Sequence, residues 1–404
     1  MDKNNYSVCI IGLGYIGLPT AALLANKGFK VHGVDIDESV VKTINQGNIH
    51  IVEPNLDQYV RKAIDNGYLV ADTKPMNADV FIIAVPTPFH EGYVPNINYI
   101  IEATESIAPY IEEDNIIILE STSPVGTTEK IEQILKKKGI NTSKLHIAHC
   151  PERVLPGNIM SEITENDRIV GGLNKEATDK VVNFYKNFVT GKILTTDSKT
   201  AEMAKLTENS FRDVNIAFAN ELSILCDELN INTQELINLA NKHPRVEILN
   251  PGPGVGGHCI AVDPWFIIHN DNQQAKIIKS AREVNMEKEN WTYKKIISSI
   301  KPGSNNITIY GLAFKPNVDD IRESPALNIA SRLDKTGDYD IRVVEPFLDF
   351  DKLRKMNFKP VNLENGSKRN GIHVILVNHD IFKVKLPGLL KNKLVIDTVG
   401  MLEK

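Results

Sequence analysis

The sequence predicts an α/β chain: two Rossmann-like parallel-sheet domains joined by a central helical region with a long linking helix. Three observations carry this. A glycine-rich turn near the N-terminus joins an apolar run to a helical pattern. Continuous apolar runs of strand length recur in the first and last parts of the chain, and an unusually long helical pattern lies between them. With 404 residues the chain exceeds one ordinary core, and roughly 150 residues per domain gives two or three. The changes of texture place domains at 1–198, 199–300 and 301–404.

Ser7 to Ile11 reads as a strand, Gly12-Leu-Gly14-Tyr15-Ile16-Gly17 as the turn, Leu18 to Lys27 as a helix, and Val31 to Val34 as a second strand ending at Asp35. This is the dinucleotide fingerprint in its required context. The glycines permit a tight turn and close approach of a pyrophosphate, whose charge is stabilised at a helix N-terminus. Tyr15 and Ile16 would lie against the cofactor. Asp35 would hold the ribose hydroxyls, and its charge would repel a 2′-phosphate, so NAD is expected and not NADP. Gly12, Gly14, Gly17 and Asp35 complete the expected cofactor set in this turn.

Asp79 to Val85 and Asn115 to Glu120 are continuous apolar runs of the kind buried in parallel sheets. Polar loops follow each, with Thr87 and Thr122 at the carboxyl ends of the strands, where doubly wound sheets meet their ligands. Such hydroxyls also serve as plain turn or cap residues. Leu145 to His149 is a further strand, left by Cys150-Pro-Glu152-Arg153. Glu152 and Arg153 read either as a solvated pair or as groups that orient a hydroxyl or a water.

From Thr200 to Cys226 runs the long helical pattern, expected to link domains and to pack on its counterpart in a second subunit. Lys205 and Asn209 stand four apart, on one face, and a Lys and an Asn aimed at one site can stabilise an oxyanion. The stretch Asn250 to Pro264 then places Cys259 after four glycines and two prolines. So little side chain would let a ligand lie against bare backbone. The same composition also makes a tight connection, and an isolated Cys is often a small buried hydrophobe. Gln274 to Ile300 is helical. A second α/β pattern follows, with strands at Asn306 to Phe314, Ile341 to Val344, Gly371 to Val377 and Leu394 to Asp397, and a helix from Ser324 to Asp334. Lys315 and Arg322, after its first strand, suit a phosphate-bearing ligand.

Composition excludes several classes. The formal charge of −5, from 46 basic and 51 acidic residues, argues against a nucleic-acid surface, which needs a clustered basic patch. The apolar stretch Val8 to Ala25 is interrupted by three glycines and Pro19 and lacks a basic lead, so no membrane span is expected. Cys9, Cys150, Cys226 and Cys259 form no CxxC pair, which points to a reducing cytoplasm and to no metal site.

The GLGYIGLPTA start, the STSPVGTT loop, CPERVLPG, the Lys205/Asn209 helix, HPRVEILNPGPGVGGHCIAVDPWF and FKPNVDDIRESPA together resemble the UDP-glucose/GDP-mannose dehydrogenase family, in the family's order over essentially the whole chain. The resemblance implies a four-electron oxidation of a sugar C6 alcohol to a carboxylate with two NAD⁺ and one water. Lys205 and Asn209 would assist alcohol deprotonation, Cys259 would attack the aldehyde, and Asp263 and Glu152 would serve thioester hydrolysis, with Thr122 beside them. Lys315 would bind the phosphates, Arg322 would approach the cofactor, and Gly256, His258 and Arg153 would contact substrate. His258 is expected to be a positioning group and not the cysteine's base. Arg245 would reach the substrate of a partner subunit in a homodimer.

Ala261 and Val262 stand where the UDP-glucose branch has a proline-lysine pair, and Pro156 where it has a second glutamate. The Glu152-Arg153 pair and IAVDP instead resemble the branch acting on UDP-N-acetyl-D-mannosamine in polysaccharide biosynthesis, with UDP-N-acetylglucosamine as the alternative substrate.

Overall fold

The computed structural model describes residues 6–257, 259–271 and 273–402. By packing, the chain divides into two compact units, Met1–Thr207 with Trp265–Asn270, and Glu208–Pro264 with Asp271–Lys404.

The first unit is built on an eight-stranded sheet. Its strands are β1 (Ser7–Ile11), β2 (Lys30–Val34), β3 (Leu69–Asp72), β4 (Val80–Ile83), β5 (Ile116–Leu119), β6 (His146–His149), β7 (Arg168–Gly172) and β8 (Ile193–Asp197), in the order β8-β7-β6-β5-β4-β1-β2-β3. All pairings are parallel except β6 with β7. The central strands β4 and β5 are buried at every position because both faces are covered. Alternate residues feed two cores: Val8, Ile10, Val80, Ile82, Ile116 and Ile118 on one face, and Cys9, Ile11, Phe81, Ile83, Ile117 and Leu119 on the other. At the edge, β3 alternates buried and exposed residues. The sequence reading did not find β3, β7 or β8. Each is a shorter or more polar run, and β8 is mostly exposed.

Helix α1 (Gly17–Asn26) follows the glycine turn, and α2 (Thr127–Lys137) and α3 (Lys175–Tyr185) cover the sheet. The long helix is α4 (Ser198–Leu229), three residues longer at its C-terminus than the apolar pattern indicates; α5 (Asp263–Asn270) and α6 (Lys276–Ser299) follow.

The second unit carries a four-stranded parallel sheet of β9 (Asn306–Tyr310), β10 (Asp340–Val344), β11 (Ile372–Ile375) and β12 (Leu394–Asp397), in the order β10-β9-β11-β12, with α7 (Pro325–Asp334) crossing between the first two strands. It repeats the N-terminal device. Gly12 (φ +94°) donates to the Val34 carbonyl, and the next amide, Leu13, donates to Asp35; Gly311 (φ +90°) donates to the Val344 carbonyl, and Leu312 donates to Glu345. Among the described residues no helix is long and apolar enough to cross a membrane.

Candidate active site

The three glycines of the turn stand in different steric settings. A Cβ on Gly12 would lie 2.7 Å from the Ala84 carbonyl oxygen, and one on Gly17 would lie 1.8 Å from the Gly12 carbonyl oxygen, so these two glycines serve the turn and the helix–strand packing. Nothing stands within 4 Å of the corresponding point on Gly14, which leaves that side of the backbone open for a pyrophosphate. Tyr15 is exposed and Ile16 half-buried, and the N-terminus of α1 carries no side-chain cap and no acidic residue. A helix end in this state is a ready anion site. Asp35 accepts from the Leu13 and Asp37 amides at 3.0 Å each, which fixes its carboxylate at the tip of β2. These residues fit NAD.

The loops after β4 and β5 are tied together. The Thr87 hydroxyl donates to the Thr122 carbonyl at 2.6 Å, and Ser121 donates to the Val85 carbonyl at 2.7 Å. Glu202 on α4 holds the same region from beneath. Its carboxylate accepts from the Gly126 amide, the Thr128 amide and the Thr128 hydroxyl at 2.6 to 2.7 Å. Sequence reasoning missed Glu202, although it stands one turn before Lys205 on the same helix.

Glu152 and Arg153 do not form the solvated pair that was one of their two readings. Glu152 is buried; its Oε1 accepts from the Arg153 amide at 2.7 Å, and its Oε2 accepts from the Arg168 guanidinium at 2.9 Å. The Arg153 side chain turns to the Asp167 carbonyl. Glu120 lies beside this pair, with Oε1 accepting from the Tyr185 hydroxyl at 2.8 Å, and burial pushes its carboxyl up to about 7. Arg168 and Glu120 were also missed. The available signal was weak: one acid closing an apolar strand and one cation opening another. Lys205 is half-buried on α4, and the neighbouring His149 ring is kept neutral, its pKa pushed down to about 3 by burial first and by the Lys205 charge as well.

In the second unit, Asn209 and Asp263 are both buried, and the Asn209 amide donates to the Asp263 carboxylate. Cys259 is exposed, whereas Cys9, Cys150 and Cys226 are buried. Its carbonyl accepts from the Val262 and Asp263 amides at 3.1 and 2.9 Å, so the cysteine sits on the turn that starts α5.

The glycines before it are required by packing within the protein. A Cβ on Gly256 would stand 2.4 Å from the Glu323 carbonyl oxygen. One on Gly257 (φ +84°) would stand 2.7 Å from the Phe314 ring, and one on Gly254 would stand 3.0 Å from Pro325. On the side where a Cβ would stand, protein fills those three positions. The loop is threaded against the 314–325 segment, with the Gly257 amide donating to the Arg322 carbonyl at 3.0 Å. It is also pinned from behind: Gly252 donates to Asn220, Asn220 to Asn285, and Asn285 and Arg282 to the buried Asp213.

Lys315 is half-buried with its ammonium 5.6 Å from the Phe314 ring centre. Arg322 forks onto Asp320 with its closest contact at 2.6 Å, and Arg245 is exposed. His258 lies outside the described residues.

A glycine turn with an open second glycine, and an acid fixed at the tip of the following strand, is the equipment of an NAD-dependent oxidoreductase, and this chain is one. It belongs to the UDP-glucose/GDP-mannose dehydrogenase family. The family's NAD-binding domain matches residues 6–189, its central domain 199–287 and its UDP-binding domain 308–404. The chain is similar to the UDP-N-acetyl-D-mannosamine dehydrogenase of Campylobacter jejuni, at 52% identity over 93% of this chain and 96% of the relative. It is also similar to an NDP-N-acetyl-D-galactosaminuronic acid dehydrogenase of Ralstonia nicotianae, at 47% identity over 99% and 97%. Among solved structures it resembles the UDP-D-ManNAc dehydrogenase of Pyrococcus horikoshii, with a TM-score of 0.89, 36% identity and coverage of 98% and 96%.

Proposed function

We propose that the protein oxidises UDP-N-acetyl-D-mannosamine at C6 to UDP-N-acetyl-D-mannosaminuronate, with Cys259 carrying the intermediate. The observation that bears most weight is the buried Asn209–Asp263 hydrogen bond, because it joins the helix face expected to handle the alcohol to the turn that presents the thiol.

NAD, when bound, supplies hydride acceptance in each of the two oxidations. Lys205 and Asn209 hold the C6 oxygen and stabilise its developing negative charge while its proton leaves through an ordered water. The Cys259 thiolate adds to the resulting aldehyde carbon, so that the aldehyde stays on the protein as a thiohemiacetal. After the second oxidation the acyl group is a thioester. Water adds to its carbon, a proton passes to Glu152 with Asp263 and Lys205 in attendance, and the C–S bond breaks with its electrons returning to sulfur. In balance, one alcohol, one water and two NAD⁺ give one carboxylic acid, two NADH and two protons.

The remaining assignments follow the same reading. Thr87, Thr122 and Arg322 face the cofactor; Lys315 takes the diphosphate; Gly256 and His258 line the sugar. The three domains run 1–198, 199–300 and 301–404, and the enzyme works in the cytoplasm, where Cys259 stays reduced, in supplying a polysaccharide precursor. It is a homodimer in which Arg245 crosses to the partner. Support for the dimer comes from α4, where Phe211, Phe218 and Leu225 recur every seven residues at 68%, 55% and 45% exposure, an apolar stripe that a second helix would cover.

The relative named for a galactosaminuronic acid favours a second reading within the same class, another acetamido sugar nucleotide; UDP-N-acetylglucosamine is the first to offer. Turnover of UDP-ManNAc, UDP-GlcNAc and UDP-glucose, compared as kcat/KM, tests the assignment. A preference for UDP-glucose would refute it. Arg153 is assigned to the acetamido side of the sugar, and an Arg153→Ala variant with unchanged preference between acetamido and plain sugars would remove that role.

A further inference from the structure

Glu152 leaves the sheet just after β6, and Arg168 opens β7, which runs antiparallel to it. The register pairs Ala148 with Gly172 and His149 with Gly171; continued outward, it sets Glu152 opposite Arg168. Arg168 is 3% exposed and Glu152 is 8% exposed, and their contact is a direct 2.9 Å hydrogen bond.

A second carboxyl group reaches for the same cation. Glu120, 2% exposed, has Oε1 at 3.9 Å from Arg168, and its Oε2 has no hydrogen-bond partner among the described residues. The groups facing it are Arg168, Glu152 and the Tyr185 hydroxyl, with the Cys150 thiol 3.9 Å from the guanidinium. One cation thus stands between two buried carboxyls. Burial favours a proton on Glu120, so that the guanidinium's charge goes to Glu152. Buried ion pairs are a poor source of stability, because desolvation offsets the attraction. An arginine fixed here, at the carboxyl edge of the sheet where ligands meet the loops, therefore calls for another purpose.

We propose that Arg168 is a positioning residue of the reaction: its guanidinium fixes the orientation of the Glu152 carboxylate, so that Glu152 takes the proton of the water that hydrolyses the Cys259 thioester. The inference rests on the C6-oxidation reading above. No redox change occurs in the assisted step: a C–O bond forms, a C–S bond breaks, the electron pair returns to sulfur, and one water proton moves to Glu152.

Both hydrides leave the sugar before hydrolysis, which gives the test its signature. Arg168→Met and Glu152→Gln are mixed rapidly with NAD⁺ and UDP-ManNAc, or with whichever sugar nucleotide the wild type prefers. Each should release a burst of two NADH per active site, followed by a steady state about 100-fold below wild type. Intact-mass measurement should find the acyl group on Cys259, KM should fall with kcat so that kcat/KM changes little, and Arg168→Lys should recover part of the steady rate. A purely structural role would lower the fraction of active protein without a burst or an adduct. Thermal melting checks folding, and if Arg168→Met does not fold, Arg168→Lys carries the same readout with a smaller deficit. Normal turnover in the Arg168 variants, or slow turnover without burst and adduct, overturns the inference. A wild type that makes one NADH per sugar overturns the C6 reading itself, which keeps the two failures apart.

Discussion

The Asn209 side-chain amide donates a hydrogen bond to the Asp263 carboxylate, and both groups are buried. Asn209 comes from the middle of α4 and Asp263 from the start of α5, four residues after the exposed Cys259. A buried carboxylate that loses a donor bears part of its desolvation cost, about 1–3 kcal/mol. Asn209→Ala should therefore lower the unfolding free energy by about that amount, measured by urea titration, and should lower kcat more than it raises KM. Unchanged stability would mean that the carboxylate does not depend on this donor.

Gly256 tests the packing of the cysteine loop. A methyl group there meets the Glu323 carbonyl oxygen at 2.4 Å and Phe314 at 2.9 Å, so backbone must move. Gly256→Ala should cost roughly 1–3 kcal/mol of stability and displace Cys259 enough to slow its alkylation by iodoacetamide or the steady-state rate. By contrast Gly252, whose added Cβ would meet only the Gly254 carbonyl oxygen at 3.7 Å, should accept alanine at much lower cost.

Much of this was legible in the sequence, for reasons particular residues make plain. The first sheet announced itself because Val80–Ile83 and Ile116–Leu119 are apolar throughout, as strands buried on both faces must be. The cofactor turn was legible because each glycine answers a separate steric demand. Glu152 was found by resemblance, but its true partner was not. Arg168 lies sixteen residues away, brought opposite by an antiparallel register that no local pattern encodes. The loop glycines were assigned to a ligand because composition shows that side chains are missing without showing what fills their place. Phe314, Glu323 and Pro325 fill it, from a segment more than fifty residues on.

Two buried groups should bend the pH dependence of stability in opposite directions. Burial raises the Glu120 carboxyl from 4.5 to about 7. The folded state therefore holds a proton that the unfolded chain has lost, and this contribution is full below 4.5 and is lost as pH rises through 7. Burial lowers the Lys288 ammonium from 10.5 to about 7, with its nitrogen donating to Ser223 at 2.6 Å. The folded state then binds fewer protons, and stability from this group grows between pH 7 and 10.5. Glu120→Gln should flatten the fall between pH 4.5 and 7, and Lys288→Met the rise above 7, both read from melting temperatures across pH. Unaltered slopes would contradict the assignments.

Asp35 should decide between nicotinamide cofactors. Its carboxylate is held by the Leu13 and Asp37 amides at the tip of β2. Asp35→Ser removes the charge that repels a 2′-phosphate, and the ratio of kcat/KM for NAD⁺ over NADP⁺ should fall by about 10-fold to 100-fold. An unchanged ratio would place the ribose elsewhere.

The central claim is that Cys259 holds one substrate through two oxidations, and the most direct measurement is the number of NADH formed per UDP-N-acetyl-D-mannosamine consumed to completion. The account predicts two, with a uronic acid as the product and with Cys259→Ala unable to deliver it. A ratio of one, with an aldehyde or ketone as the product and turnover intact in Cys259→Ala, would contradict it.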